Sequence, residues 1–238
     1  MLNKFVITDN VQRTVAALTA LGDSVKVTPG RGLMLIDGYT GTGKTWALKW
    51  TFTHFPRTVL LHALREWSPS WMVEDMALKL GLGSKNIIKH NLRQIEEFLR
   101  EHPRMFLIDE GDRVIRRDSL LETLRDVHDR TNAAIVLVAE GRGRELLFRK
   151  SERAWRRVSQ VVEFANLTVA DVQVMGKELA GLAIPAAQAK RIHEHGDGGV
   201  MGKVINDLEA IERLLKANPG RELTDKVLEM AFRAREAG

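Results

Sequence analysis

Short apolar runs alternate with longer amphipathic segments over the first two thirds of the chain. A strand in a parallel sheet is buried on both faces, so it reads as a continuous apolar run. Helices instead place apolar residues three and four positions apart. The runs predict strands over 32–37, 58–64, 105–110, 133–140 and 161–167. The segments predict helices over 9–21, 44–54, 70–81, 91–101 and 118–130, with Gly22 ending the first and Asp118 capping the last. This alternation predicts an α/β fold with a parallel five-stranded sheet flanked by helices.

The pattern changes after Leu167, where apolar runs give way to helical spacing alone. Thr168 and Asp171 have the spacing of a capping box, which predicts a helix to about residue 180. Pro185 suits the first turn of a further helix. Residues 200–217 and the segment after Thr224 predict two more. We therefore expect an α/β domain over 1–167, followed by a small all-helical domain over 168–238.

Charge is distributed unevenly between these two parts. The chain of 238 residues has a net charge of +5. Residues 1–167 hold 26 Lys and Arg against 20 Asp and Glu, whereas residues 168–238 hold 10 against 11. Residues 141–157 alone hold seven basic and two acidic side chains. Such a stretch favours a polyanionic partner, with a solvated surface as the alternative.

Composition excludes several classes of protein. The absence of cysteine removes disulfides, thiolate catalysis and cysteine metal sites. No apolar run approaches the roughly 20 residues of a membrane span. The N-terminus lacks the apolar segment of a signal peptide. We expect a cytoplasmic protein without a membrane partner.

A glycine-rich loop follows the first predicted strand and precedes a helix. GYTGTGKT, residues 38–45, matches the pattern G-x-x-x-x-G-K-[ST] of phosphate-binding loops. Its glycines let backbone N–H groups turn toward phosphate oxygens, Lys44 can reach the β- and γ-phosphates, and the Thr45 hydroxyl can ligate Mg²⁺. The expected nucleotide-binding residues are Gly38, Thr40, Gly41, Thr42, Gly43, Lys44, Thr45 and Trp46.

A pair of carboxylates ends the third predicted strand. Asp109 and Glu110 follow the run Phe106 to Ile108, which places them at the edge of the sheet that carries the phosphate loop. We expect Asp109 to hold the Mg²⁺ shell and Glu110 to polarise the attacking water as a general base. The adjacent second acid favours a hydrolase over a small-molecule kinase.

Together these motifs resemble the AAA+ ATPases over nearly the whole chain. The resemblance implies ATP and Mg²⁺ as cofactors and identifies the helical domain as a lid. It also implies that a neighbouring subunit supplies an arginine finger from just before the fifth strand. Arg149, Arg153, Arg156 and Arg157 lie there. Arg156 is favoured, followed by Arg153.

Two positions depart from the AAA+ pattern. The polar sensor after the fourth strand is replaced by Glu140, and the second sensor, usually arginine, by Lys203. Lysine lacks the planar fork of arginine. Both departures suggest slow hydrolysis or a nucleotide switch, stimulated by DNA or a partner.

Five stretches resemble the ATPase subunits of DNA transposition systems, namely phage Mu B protein, TnsC and the IstB-like helpers. They are LMLIDGYTGTGKTWAL, FLIDEGDRV, IVLVAEGRGREL, RAWRRVSQVVEF and GGVMGKVINDLEAIERL. The resemblance implies self-assembly into a helical filament or hexamer-like ring on duplex DNA, without sequence preference. It also implies recruitment of a transposase to the selected target, disassembly on hydrolysis, and a bacterial or phage-infected cytoplasm.

No motif fixes the DNA contacts. Lys85 and Lys89, between the second and third strands, and Arg116 and Arg117, after the acidic pair, are the candidates. Two other functions stay open at this point: a replication helicase loader or origin-type ATPase, and a nucleotide-dependent signalling switch that does not bind DNA.

Overall fold

The structure, a computed structural model that describes residues 4–28, 30–85, 87–218, 220 and 222–236, contains a parallel five-stranded sheet. Its strands are β1 (Leu33–Gly38), β2 (Thr58–His62), β3 (Met105–Asp109), β4 (Ala134–Glu140) and β5 (Val158–Phe164). Their order across the sheet is β2-β3-β4-β1-β5, and every pairing is parallel. The predicted fold class, a parallel five-stranded sheet flanked by helices with a helical C-terminal region, is confirmed.

Twelve helices occur in the described ranges. The first eight are α1 (Asp9–Val27), α2 (Lys44–His54), α3 (Pro69–Lys79), α4 (Ile88–Glu101), α5 (Asp112–Ile115), α6 (Asp118–Thr131), α7 (Gly143–Lys150) and α8 (Glu152–Trp155). The last four are α9 (Val169–Ala180), α10 (Ala186–His195), α11 (Met201–Ala217) and α12 (Asp225–Glu236). None of these helices combines the length and apolar character that crossing a bilayer requires.

The described residues form two compact units. One comprises residues 13–40 and 44–164, with a core of sheet residues such as Leu35, Phe106 and Leu137 that are 1% exposed or less. The other comprises residues 4–12, 41–43 and the described part of 165–236, with the helical core around Ile192 and Leu208. The predicted domain division at residue 167 stays a prediction.

Helix α9 begins with the capping box expected from sequence. The Thr168 hydroxyl accepts a hydrogen bond from the Asp171 N–H, and the Asp171 carboxylate accepts from the Thr168 N–H. The other Asp171 oxygen accepts from the Asp9 N–H at 3.0 Å. One buried carboxylate thus satisfies backbone donors at the starts of both α9 and α1.

Some predicted element bounds were wrong. Helix α1 does not stop at Gly22 but continues to Val27, because Gly22 has an ordinary negative φ and does not adopt the left-handed C-cap conformation. Helix α6 starts at Asp118 itself, and Asp118 is therefore not its cap. Strand β5 starts three residues earlier than predicted, since it is an edge strand, and an edge strand tolerates polar residues such as the half-buried Ser159 and Gln160.

Candidate nucleotide site at the carboxyl edge of the sheet

The phosphate loop follows β1, and this strand lies between β4 and β5 in the sheet. Gly41 and Gly43 have φ angles of 84° and 91°, which only glycine adopts without strain. The Lys44 ammonium donates to the Gly38 carbonyl at 2.5 Å and to the Tyr39 carbonyl at 2.8 Å. The cation therefore lies inside the turn of the loop, where phosphate oxygens would replace these carbonyls as its partners.

Burial lowers the pKa of Lys44, although four carboxylates oppose that effect. Desolvation has the largest influence on this pKa, and the opposing charges are Glu140, Asp37, Asp109 and Asp112, in decreasing order. A polyanionic ligand stabilises the charged form of a partly desolvated ammonium. The loop is thus electrostatically suited to bind a nucleotide polyphosphate.

The remaining loop residues differ in exposure. Thr42 is buried at 2%, whereas Thr45 is exposed and Trp46 is 63% exposed. The Trp46 ring carries the Lys49 ammonium 5.6 Å from its centroid. Gly38 has no room for a side chain, because a Cβ there would lie 2.6 Å from the Phe164 carbonyl oxygen.

The acidic pair ends β3 with its two side chains held differently. Asp109 Oδ1 accepts from the Glu110 N–H at 3.0 Å, and Oδ2 lies 3.8 Å from Nδ1 of His62. Glu110 has a positive φ of 55°, and its carboxylate forms an ion pair with Arg113 at 3.2 Å. Arg113 also donates to the Ala63 carbonyl at 2.9 Å, which fixes the direction of that ion pair.

The Thr45 hydroxyl and the Asp109 carboxylate suit Mg²⁺, a hard cation that prefers oxygen ligands. In nucleotide sites this ion needs only one or two protein oxygens, because phosphates and water complete its shell. Within the described ranges, no group of three or more His, Asp or Glu is placed to hold a metal ion.

Three residues next to the site were missed by the sequence analysis. His62 ends β2 in register with Asp109, and Arg113 orients Glu110. Asp37 is 6% exposed, and its carboxylate accepts from the Gly38 N–H at 2.9 Å and the Arg144 N–H at 3.0 Å. A polar residue at the end of an otherwise apolar strand run is the signal that marks both His62 and Asp37.

A family model described as "AAA domain" matches residues 27–147, which is just over half of the chain and includes the phosphate loop and the acidic pair. The chain belongs to the AAA domain family. No curated protein matched it in a sequence comparison.

Solved structures share the fold of this AAA domain at low sequence identity. The Aeropyrum pernix ORC2 protein, solved as ADPNP–ADP complexes, is 15% identical with a TM-score of 0.71, over 98% of this chain and 70% of that one. The Thermotoga maritima RuvB Holliday junction branch migration motor is 16% identical with a TM-score of 0.62, over 98% and 70%. The Aeropyrum pernix ORC1 protein in complex with DNA is 16% identical with a TM-score of 0.57, over 95% and 64%.

The arginines that precede β5 differ in their contacts. Arg157 forms a bidentate pair with Asp129, both distances being 2.6 Å, and its hydrogen bonds lower the pKa of that carboxyl. Arg156 pairs with Glu152 at 2.6 Å, although both side chains are exposed. Arg153 is exposed and has no ion-pair partner within the described ranges. Arg156 and Arg153 both stay predicted fingers, and Arg157 is a structural anchor.

The two sensor candidates both have partners. Glu140 ends β4 opposite Gly38, and its carboxylate accepts a hydrogen bond from the Thr40 hydroxyl. Lys203, in the first turn of α11, forms an ion pair with Asp197. The roles of these two residues toward a nucleotide stay predictions.

The four predicted DNA-binding residues of the AAA domain belong to different surroundings. Lys85 and Lys89 are exposed, and the Asn91 side chain holds the Lys85 backbone through bonds of 3.0 and 2.8 Å. Arg116 pairs with Asp112 at 3.4 Å. Arg117 donates to the carbonyls of Trp67 and Arg65, so its guanidinium is engaged with the backbone. The two lysines are thus better placed than Arg117 to meet a phosphate backbone.

Proposed function

We propose that this protein is an ATPase that binds duplex DNA in its ATP-bound state and assembles there with copies of itself as a filament or ring. In this proposal it selects target DNA and recruits or activates a transposase, and ATP hydrolysis drives disassembly. The observation that carries the proposal is the arrangement of Lys44, Asp109 and Glu110 at one edge of the sheet of an AAA domain.

The residues of this edge have separable roles in hydrolysis. Lys44 binds the β- and γ-phosphates, and Thr45 with Asp109 holds Mg²⁺, which neutralises phosphate charge when bound. Glu110 accepts a proton from the attacking water, and its ion pair with Arg113 orients the carboxylate before substrate arrives. An arginine of a neighbouring copy, Arg156 or Arg153, stabilises the charge on the transferred phosphoryl group.

Charge and exposure support DNA as the partner. The basic stretch 141–157 forms α7 and α8, and most of its basic side chains are exposed. Lys85, in the connection between α3 and α4, and Lys89, in the first turn of α4, add two exposed cations. Contacts of this type bind backbone phosphates with little sequence preference. Two proteins of the same fold, RuvB and ORC1, are a branch migration motor and a protein solved with DNA.

The transposase partner is supported by the five sequence stretches that resemble transposition helpers. An origin-type or helicase-loading ATPase is the second candidate, favoured by the TM-score of 0.71 to an ORC2 protein. Both candidates share the site chemistry and differ in the partner protein. A signalling switch that does not bind DNA is the third candidate.

A mobility-shift assay on random-sequence duplex with ATP, ADP or no nucleotide tests the proposal. We expect binding with ATP that is lost with ADP. Glu110→Gln removes the base but keeps the shape of the side chain, so it should retain ATP-dependent binding while turnover falls about 100-fold or more. DNA binding that is the same in all three nucleotide states contradicts the proposal. Stimulation of turnover by a transposase, and not by a replicative helicase, would then select the first candidate.

A further inference from the structure

Helix α2 carries apolar side chains on its exposed side as well as on its buried side. Ala47, Leu48 and Thr51 are buried, and the helix packs on β2 and β3. On the opposite side, Trp46 is 63% exposed and Phe52 is 44% exposed. A helix that is apolar all round is normally buried all round, so exposed rings on such a helix mark a surface for a partner.

The exposed side of α2 consists of rings and cations, with neither an aliphatic nor an acidic side chain. Trp46, Trp50 and His54 follow one another at intervals of four residues, so they lie in one line along the helix. Lys49 lies beside this line, and Phe52 flanks Lys49. We call this side the aromatic face, and its members are Trp46, Lys49, Trp50, Phe52, Thr53 and His54.

Neighbouring side chains of the aromatic face already contact one another. The Trp50 and His54 rings stack with their centroids 4.2 Å apart. The Thr53 hydroxyl donates to the Trp50 carbonyl at 2.8 Å and lies 2.9 Å from Nδ1 of His54. Rings that are held in place before a ligand arrives lose little conformational entropy on binding. The aromatic face is therefore preorganised for a flat ligand.

The charge around the aromatic face has one sign. Residues 38–65, which include all of α2, contain no Asp or Glu. Lys49 and Arg57, in the turn after the helix, are both exposed, and neither forms an ion pair with another residue of the described ranges. Uncompensated cations next to exposed rings complement an anionic ligand that also has flat apolar groups.

An unpaired nucleic-acid strand has both of these features. Its bases stack on aromatic rings, and its phosphates meet the cations beside them. In a duplex the faces of the bases are covered by neighbouring base pairs, so the rings would have no base to stack on. A helix that docks on protein usually presents aliphatic anchors, whereas α2 keeps Ala47 and Leu48 on its buried side.

We propose that the aromatic face of α2 is a stacking platform for single-stranded DNA. DNA is favoured over RNA because the face has no carboxylate or amide side chain to accept from a 2′-hydroxyl, and the Thr53 hydroxyl is already engaged. This inference goes beyond the proposed binding of duplex DNA and does not depend on ATP. It also uses residues other than Lys85 and Lys89.

Fluorescence anisotropy without nucleotide tests the proposal on a labelled oligothymidylate and on an abasic strand of the same length. The measured quantity is the ratio Kd(abasic)/Kd(oligothymidylate), which should be about thirtyfold or more in the wild type. Trp50→Leu and Phe52→Leu each remove a ring but keep an apolar side chain, so each should lower the ratio about fivefold. Trp71→Leu, at a tryptophan of α3 that is 40% exposed, is the matched control and should leave the ratio unchanged.

Lys49→Gln separates the cation from the rings. It removes a phosphate contact, so it should weaken the binding of both strands and change their ratio little. The slope of log K against log salt should become shallower by about 0.7, the value for one phosphate of a single strand. Lys79→Gln, at an exposed lysine in the last turn of α3, is the control and should leave the slope unchanged.

Three results would overturn the stacking platform. The first is a wild-type protein that binds the two strands equally, which would show phosphate contacts alone. The second is an unchanged ratio in both Trp50→Leu and Phe52→Leu when their circular dichroism and Tm match the wild type; because Phe52 is an exposed position, this variant keeps the test valid if Trp50→Leu is unstable. The third is binding of neither strand, which would leave a protein as the partner of the aromatic face.

Two further outcomes concern the identity of the strand and the proposed function. Oligouridylate bound about tenfold more tightly than oligothymidylate would overturn DNA as the ligand. Failure of the proposed function has a different signature, namely duplex binding that is the same with ATP, ADP or no nucleotide. If the ratio still falls in Trp50→Leu and Phe52→Leu, that result refutes the ATP-dependent duplex binding and supports the stacking platform.

Discussion

At the scale of single residues, the partly buried charge of Lys44 suits an anionic ligand but destabilises the ligand-free protein. Its pKa is lowered because burial outweighs four nearby carboxylates. Lys44→Met should therefore leave the Tm of the ligand-free protein unchanged or higher, and should abolish the rise in Tm that ATP causes in the wild type. Differential scanning fluorimetry measures both, with Lys49→Met on the exposed part of α2 as the control. A ligand-free Tm several degrees lower in Lys44→Met than in the control would contradict this reading.

The same lowered pKa gives a pH dependence of stability with a definite sign. In the alkaline window below the ordinary lysine value of 10.5, the unfolded chain keeps its proton while folded Lys44 has begun to release it. The unfolded state binds more protons there, so stability rises with pH. The unfolding free energy of the wild type minus that of Lys44→Met should increase between about pH 8 and about pH 10. Urea titrations at several pH values give this difference in unfolding free energy. A decrease with pH would show that the nearby carboxylates influence the pKa of Lys44 more than burial does.

Asp37 is a buried acceptor whose charge suits two N–H donors. Asp37→Asn keeps the shape but turns an amide NH₂ toward either the Gly38 or the Arg144 N–H. We expect a loss of about 1–3 kcal/mol in unfolding free energy, the usual cost of a buried donor without an acceptor. Asp118→Asn is the control, because that side chain is 75% exposed and its ion pair with Lys150 contributes little. Equal losses of unfolding free energy in the two variants would contradict the role of Asp37 as a stabilising acceptor for these two N–H groups.

At the scale of elements, Asn91 holds the backbone at Lys85 in the connection between α3 and α4, and Lys89 lies in the first turn of α4. Replacing both lysines by Ala should weaken ATP-dependent DNA binding and make the slope of log K against log salt shallower by about 1–2, since each phosphate contact releases counterions. Lys177→Ala with Lys190→Ala, two exposed lysines of the helical region, is the charge-matched control. Reduced affinity with an unchanged salt slope would indicate that DNA binds a different surface of the protein, and α7 and α8 would be the next candidates.

The sequence predicted some elements well and others poorly, for physical reasons. Strands β1, β3 and β4 are buried on both faces, so their apolar runs are unbroken and mark them clearly. Helices α7 and α8 were not predicted, because their basic exposed faces leave few apolar positions, such as Leu147, to show a period. The phosphate loop and acidic pair could be located because their residue types are fixed by ligand chemistry. Arg113 could not be found, since its relevance comes from contacts with Glu110 and Ala63 that no spacing encodes.

At the scale of the whole molecule, the proposed arginine finger from a neighbouring copy would make ATPase activity a property of the assembly. In that case Arg156→Ala subunits would keep an intact nucleotide site but lack the finger, and Lys44→Met subunits would keep the finger but lack the site. Mixing the two inactive variants should restore part of the DNA-stimulated turnover. At a mixed interface, the intact nucleotide site of an Arg156→Ala subunit can meet the intact finger of a Lys44→Met subunit. Arg149→Ala, which removes another exposed arginine, serves as the control and should hydrolyse ATP without mixing. If Arg153→Ala rather than Arg156→Ala needs the mixture, the finger is Arg153; no recovery in either mixture argues against a finger in trans.

The strand order also governs when the site can exist during synthesis. Met34 of β1 pairs with Val136 of β4 and Gln160 of β5, so the strand that carries the phosphate loop has no early neighbour in the sheet. A growing chain that has just completed the acidic pair already contains both ATP motifs, yet β1 has nothing to pair with in the sheet until β4 is complete about 30 residues later, and its second neighbour β5 follows after that. The strand that carries the phosphate loop is therefore paired only after β4 has been made, and this exposed apolar strand must be kept from aggregating until then.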